Sequence, residues 1–239
     1  MKKILLTALI LSFASSAFAG VVGSKHDIPA TYPTAAGVAA EAASNGLNQT
    51  RICGYCHTPH HANLDAADQG LPLWSRATVD AGTYANYDSF TLDGGLSDAG
   101  IGSSWLCLSC HDGSTAVDAH YNFAGNALLT GDGYGDPAIG AAGDLTNDHP
   151  IGVNMVDAFA AEQTNILNPL SSGLFDPTTQ EFLNNTKVAG MTIDKFLYNG
   201  EFVTCASCHD VHNKDVVDGP YMLYAAYGDS DICLSCHNK

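Results

Sequence analysis

Basic residues are the first scarcity: 9 Lys and Arg stand against 25 Asp and Glu, for a formal charge of −16. Recognising a polyanion takes Lys and Arg that neutralise phosphates, so nucleic acid is excluded as a partner. Charge of either sign is thin, at 14% of 239 residues, beside 46% apolar residues. That balance suits neither a solvated disordered chain nor a coiled coil. No apolar run reaches the roughly 20 residues of a bilayer span, so no membrane span is expected. The longest, Ile4 to Phe13, follows Lys2 and Lys3 and precedes Ala17-Phe18-Ala19. A short positive segment, an apolar stretch and an A-x-A site read as a signal peptide over 1–19, with export of the remainder. Methionine is rare, with 4 in the chain, and no cysteine stands alone.

All 8 cysteines fall in pairs separated by two residues, each pair followed at once by His. The four runs are Cys53-Gly54-Tyr55-Cys56-His57, Cys107-Leu108-Ser109-Cys110-His111, Cys205-Ala206-Ser207-Cys208-His209 and Cys233-Leu234-Ser235-Cys236-His237. C-x-x-C-H is the signature of covalent c-type haem attachment. The spacing suits the chemistry, since residues i, i+3 and i+4 share one face of a helical turn. Two thiols then bond the porphyrin vinyl groups while the imidazole meets the iron from the same side. Disulfides, a pair of four-thiolate zinc sites and a thioredoxin-like redox motif compete for the cysteines. None of them explains the histidines. Four haems c are the expected cofactors, with His57, His111, His209 and His237 as proximal iron ligands.

Six histidines remain for the distal positions: His26, His60, His61, His120, His149 and His212. Methionine is the other common distal ligand, but Met155, Met191 and Met222 are too few for four haems. His60 and His212 each follow a motif histidine by three residues, giving C-x-x-C-H-x-x-H twice. Lying on the same side as the first histidine, the second must reach a different haem. His149 sits in Asn147-Asp148-His149-Pro150, where Asp148 is placed to hydrogen-bond the other ring nitrogen; Asp27 stands similarly beside His26. Adjacent residues face different ways, so His61 yields to His60. His120 stays in reserve with it.

The runs Ser24-Lys25-His26-Asp27, Cys56-His57-Thr58-Pro59-His60, Pro72-Leu73-Trp74, Cys107 to Gly113, Asp148-His149-Pro150 and Cys205 to His209 resemble the doubled C-x-x-C-H tetrahaem cytochromes. Within them the chain is most similar to the secreted OmcE-type proteins, which polymerise into extracellular cytochrome filaments. That resemblance implies the distal set His26, His60, His149 and His212. It also implies a homopolymer in which one distal histidine, His60 or His26, is given to a haem of the next subunit.

The fold expected is a multihaem cytochrome c, one domain over 20–239, mostly irregular and organised around its haems. A few short helices and a β-hairpin near 196–203 complete it. Thr34 to Ser44 is Ala-rich, with Gly46 as a helix stop. Asn154 is placed to cap a helix from Met155 to about Ile166. Ser104 and Asp231 are placed to cap short helices at Cys107 and Cys233. Asn199-Gly200 suits a type I′ turn. Gly131 to Asp148 reads as solvated loop, and Tyr221, Tyr224 and Tyr227 recur at helical spacing. His149 ties the long interval between the second and third motifs back to a haem. The function expected is electron transfer, not catalysis, with redox proteins or an extracellular acceptor as partners. A monomeric periplasmic shuttle and a multihaem reductase with one open haem are the alternatives.

Overall fold

The computed structural model describes residues 20–44, 51–60, 62–63, 73–76, 84–92, 94–120, 125–130, 137–140, 143–161, 167, 170, 191–212, 222–225 and 230–238. The expected signal peptide over 1–19, and His61, Gly46, Tyr221 and Tyr227, lie outside them.

Helices in the described residues are short and locally anchored. Helix α1 is Ile28–Thr31. Asp27 starts it by accepting from the Ala30 N–H at 3.3 Å, and its other oxygen accepts from Gly23 N–H at 2.9 Å. Pro29 sits in the first turn, where a missing N–H costs nothing. Helix α2, Ala36–Ser44, is the Ala-rich stretch. Its start is pinned from far away: Gly37 N–H donates to Asp118 Oδ2 at 2.8 Å. A Cβ on Gly37 would lie 2.1 Å from the Asp118 carbonyl oxygen, so only glycine fits there.

Helices α3, α4 and α5 are Ser104–His111, Met155–Ala161 and Asp231–Leu234. Asn154 caps α4 as expected, accepting from Val156 and Asp157 N–H at 2.9 and 3.1 Å; residues 162–166 lie outside the described set. The expected caps of α3 and α5 are displaced by one residue, because Ser103 and Ser230 hold the N-cap positions. Ser104 instead turns its hydroxyl to accept from the Cys205 N–H at 3.2 Å. Asp231 becomes the first helical residue, where a carboxylate favours the helix dipole.

The expected β-hairpin is a tight turn rather than a pair of strands, and no strand forms among the described residues. Tyr198 and Phe202 exchange hydrogen bonds at 2.9 and 3.0 Å. Between them Asn199 and Gly200 take φ of 54° and 76°, the left-handed conformation that Asn-Gly favours. Pairing stops there because the preceding residues coil into a 3-10 turn, Ile193–Lys195. The following residues pair with another segment: Gly152 N–H donates to Val203 O at 2.8 Å and Met155 N–H to Glu201 O at 2.8 Å. Segment 152–154 in turn meets 95–97, through Ser97 N–H to Gly152 O at 2.7 Å and Asn154 N–H to Gly95 O at 2.9 Å. This seam holds His149 on one side and the third motif on the other. The expected helical run of tyrosines is also absent at 222–225, where Met222 has φ of 54° and Leu223 forms a single bridge with His209.

Among the described residues, apolar packing gathers in three small clusters. One gathers Ile28, Val38 and Val117 around Tyr55 of the first motif, with Cys110 against it. A second sets Met155, Ile193 and Ala225 beside Cys236, and a third sets Ala99 and Leu145 on Leu108 of the second motif. Each cluster backs a C-x-x-C-H run. No described helix is long and apolar enough to cross a membrane.

Candidate haem sites

Each motif is a single helical turn. The first and third lie on 3-10 turns, Ile52–Tyr55 and Cys205–Ser207, the second ends α3 and the fourth runs out of α5. His57, His209 and His237 donate their N–H to the carbonyl of the first cysteine of their own motif, at 2.8, 3.0 and 2.8 Å. The turn so closed puts both thiols and the imidazole on one side, as haem attachment needs. Ser109 Oγ donates to Leu106 O at 2.7 Å and Ser235 Oγ to Asp231 O at 2.8 Å, so the buried serines of the two Leu-Ser motifs bind inward to their own turn.

The first and third motifs share a longer pattern that their spacing did not announce. Thr58 N–H donates to Leu73 O at 2.8 Å, and Ser75 N–H to Cys56 O at 2.9 Å. In the second half Asp210 N–H donates to Met222 O at 2.9 Å, and Tyr224 N–H to Cys208 O at 3.0 Å. Leu73 and Met222 are two of the few non-glycine residues at positive φ, 47° and 54°. Residues 53–58 with 73–76, and 205–210 with 222–225, are therefore two copies of one local design.

All eight cysteines are thiols, with no disulfide among them. Among the described residues no three His, Cys, Asp or Glu side chains converge as a metal cluster. Neither arrangement fits the disulfide or zinc readings. Burial pushes the thiols of Cys56 and Cys208 up to about 12, and that of Cys236 to about 11. Cys107 and Cys205 share a side-chain hydrogen bond, which raises the Cys107 pKa and lowers that of Cys205. The second and third motifs are thus in contact, an arrangement reinforced by Ser103 Oγ to Thr204 Oγ1 at 3.1 Å.

Among the described residues the histidine rings come together in three pairs. His26 and His111 have centroids 6.0 Å apart, His57 and His212 6.1 Å, and His149 and His237 6.5 Å. Two imidazoles on opposite sides of one metal, each with a metal–nitrogen bond of about 2.0 Å, have centroids about 6.3 Å apart. Aromatic contact alone also spans about 4.5–7 Å, so distance does not decide. Composition of the pairs does: each joins one motif histidine to one histidine outside any motif. The residues fit haem iron held by two imidazoles.

Ring nitrogens are prepared accordingly. Nδ1 of His111 hydrogen-bonds the Pro137 carbonyl at 2.5 Å, and Nδ1 of His149 the Pro150 carbonyl at 3.1 Å. A proton fixed on Nδ1 leaves the Nε2 lone pair for a metal. The expected role of Asp148 as that partner falls instead to the Pro150 carbonyl, which is reached within the same turn of chain. Asp27 likewise serves α1 rather than the neighbouring His26, whose Nδ1 is buried without a hydrogen-bond partner. Burial, then the His111 charge, lowers the His26 pKa to about 4. Burial also lowers those of His111 and His149, opposed by their carbonyl bonds.

His60 and His120 are placed differently. His60 is exposed, and its ring meets no described motif histidine. His120 is buried against Tyr55 at 4.4 Å, with Nδ1 3.1 Å from the Asp118 carbonyl. A cavity of about 400 Å³ opens beside the third motif, lined by Phe196, Leu197, Tyr198, Ala206 and Tyr224. These offer an apolar macrocycle a mostly apolar wall.

A residue that motif reading missed is Arg76, one of two arginines in the chain. It is buried, and its guanidinium donates to the carbonyls of Val117 at 3.0 Å, Ser109 at 3.1 Å, Ala116 at 2.6 Å and Ala119. No spacing rule points to it.

The motifs specify covalently bound haem c, and the class they support is a multihaem c-type cytochrome. Residues 199–239 match the family model described as the doubled CXXCH motif, which takes in the third and fourth motifs. That match supports haem-based electron transfer. No curated protein matches the chain.

Proposed function

We propose that the chain carries four haems c, each between two histidines, and relays electrons along them as a subunit of an extracellular filament. The observation that carries the ligation is the pairing of rings: three motif histidines each face a histidine from outside the motifs, within one chain. Haem supplies a one-electron iron couple, and two imidazoles set it below that of Met/His cytochromes. The protein's part is to fix ligands, exclude an open iron position and bring the sites close. Contact between Cys107 and Cys205 joins the second and third sites. His212, three residues after His209, joins the first and third through His57.

His26 faces His111 inside the chain, so His60 is the better donor to a neighbouring subunit. Its exposure on the Thr58–His60 turn leaves the imidazole free to be offered outward. A ligand given across subunits makes a polymer that resists dilution. The protein is exported, in keeping with its signal peptide, and acts as a carrier rather than an enzyme.

Intact mass and pyridine haemochrome analysis of the secreted protein should count four haems. Negative-stain microscopy should show filaments, and the reduced filament should not bind carbon monoxide. His60→Ala should release subunits in which one haem in four binds it. Discrete single subunits with every haem six-coordinate would sink the filament and leave a shuttle. Stoichiometric carbon monoxide binding by the intact wild-type protein would turn the reading toward a reductase.

A further inference from the structure

The two copies of the local design differ in charge at one buried position. Ser75 and Tyr224 occupy equivalent places, each donating its N–H to the carbonyl of the second cysteine. The next residues are therefore equivalent too: Arg76, 5% exposed, and Ala225, 0% exposed. One half buries a permanent cation where the other buries a methyl group.

Arg76 stands between the first and second motifs. Its chain neighbour Ser75 is bonded to the first, by N–H to Cys56 O at 2.9 Å and by Oγ to Tyr55 O at 3.0 Å. Its own guanidinium is bonded to the second, at the Ser109 carbonyl beside Cys110. Every hydrogen-bond acceptor it has is a carbonyl, and among the described residues no carboxylate pairs with it. Its Nε is buried without a partner. The buried carboxylates in this half are occupied elsewhere: Asp27 by the N–H groups of Gly23 and Ala30, Asp118 by those of Gly37, Asn126 and Ala127, and Asp112 by Ser114 and Thr115. Burying an arginine without a carboxylate is costly, and four carbonyls would be served by any donor-rich neutral group. A positive charge kept in this place acts on its surroundings.

We propose that Arg76 tunes the redox potential of the haems attached through Cys53 and Cys56 and through Cys107 and Cys110. A fixed cation favours the state of the iron that carries one positive charge fewer, so it raises the potential of both sites. Ala225 exerts no such pull on the third and fourth. The inference rests on the haem reading above.

The test is a spectroelectrochemical titration of the full protein and of Arg76→Gln and Arg76→Lys, with haem content measured on each. Arg76→Gln should load the wild-type number of haems while part of its titration moves to lower potential. Arg76→Lys, which keeps the charge but loses the fork, should titrate as wild type. Superimposable curves for Arg76→Gln and wild type would overturn the proposal, and so would equal shifts in both variants, which a purely structural role predicts. Should Arg76→Gln fail to load haem, Arg76→Lys decides alone: a wild-type curve supports the tuning role and a lowered one overturns it. Absence of haem from the wild-type protein would instead refute the haem reading itself.

Discussion

At the scale of single residues, the arrangement works by keeping imidazoles neutral and aimed. His26 shows it most clearly. Burial, with help from the His111 charge, takes its pKa from the ordinary 6.5 down to about 4. A folded-state pKa below the unfolded one means that folding favours the neutral ring. The associated stability is complete above 6.5 and is lost as pH falls through that value toward about 4. Bound iron competes with the proton for the ring and pushes the loss lower still. The His26–His111 site should therefore hold its low-spin spectrum from neutral pH down to about 4 in an acid titration. Conversion to high spin already between pH 7 and 6 would contradict this account. His26→Ala should leave one high-spin haem per chain at neutral pH, and added imidazole should restore the low-spin spectrum.

At the scale of elements, what was legible in the sequence was what depends on neighbours in sequence. Cysteines and histidine at i, i+3 and i+4 become one-turn helices because three to five residues decide that geometry. Asn154 caps α4 and Asn199-Gly200 turns for the same reason. Long-range partners were not legible. Nothing near Leu73 or Met222 announces a left-handed backbone, since each is held by a bond to a motif histidine's successor. The expected hairpin arms were lost to a 3-10 turn and to segment 152–154. Ser104 is drawn from the expected cap to the Cys205 N–H. Helix α2 is held by Asp118, about 80 residues away in sequence, whose carboxylate also accepts from Asn126 and Ala127 N–H at 2.8 Å each. Removing that acceptor strands one buried donor, Gly37 N–H, at about 1–3 kcal/mol, and two part-buried ones that water partly serves. Asp118→Ala should cost about 2 kcal/mol or more in thermal unfolding, and Asp118→Asn, which keeps one accepting oxygen, less. A loss below about 1 kcal/mol for the alanine variant would show that these bonds do not anchor α2.

At the scale of the whole molecule, the histidine count mattered more than the apolar count. An apolar fraction of 46% suggests an ordinary core, yet among the described residues the packed side chains form three separate small clusters, each behind a C-x-x-C-H turn. Helices of four to nine residues are too short to be stable alone in water. Isolated bridges add little to them. Ring pairs drawn from distant parts of the chain, 26 with 111, 57 with 212 and 149 with 237, are the contacts that close the long loops between motifs. Two facing imidazoles with no metal between them contribute little to that closure, whereas ligation and burial of a macrocycle stabilise only the folded state. Stability of the whole should thus be inseparable from its cofactors. A variant with all eight cysteines changed to alanine, exported and purified without haem, should show circular dichroism of a largely unfolded chain and no cooperative thermal transition. Replacing only Cys233 and Cys236 should disorder the 230–238 segment and free His149, while the first three sites keep their low-spin spectra. A native-like, cooperative transition in the haem-free chain would show instead that the three clusters suffice as a core.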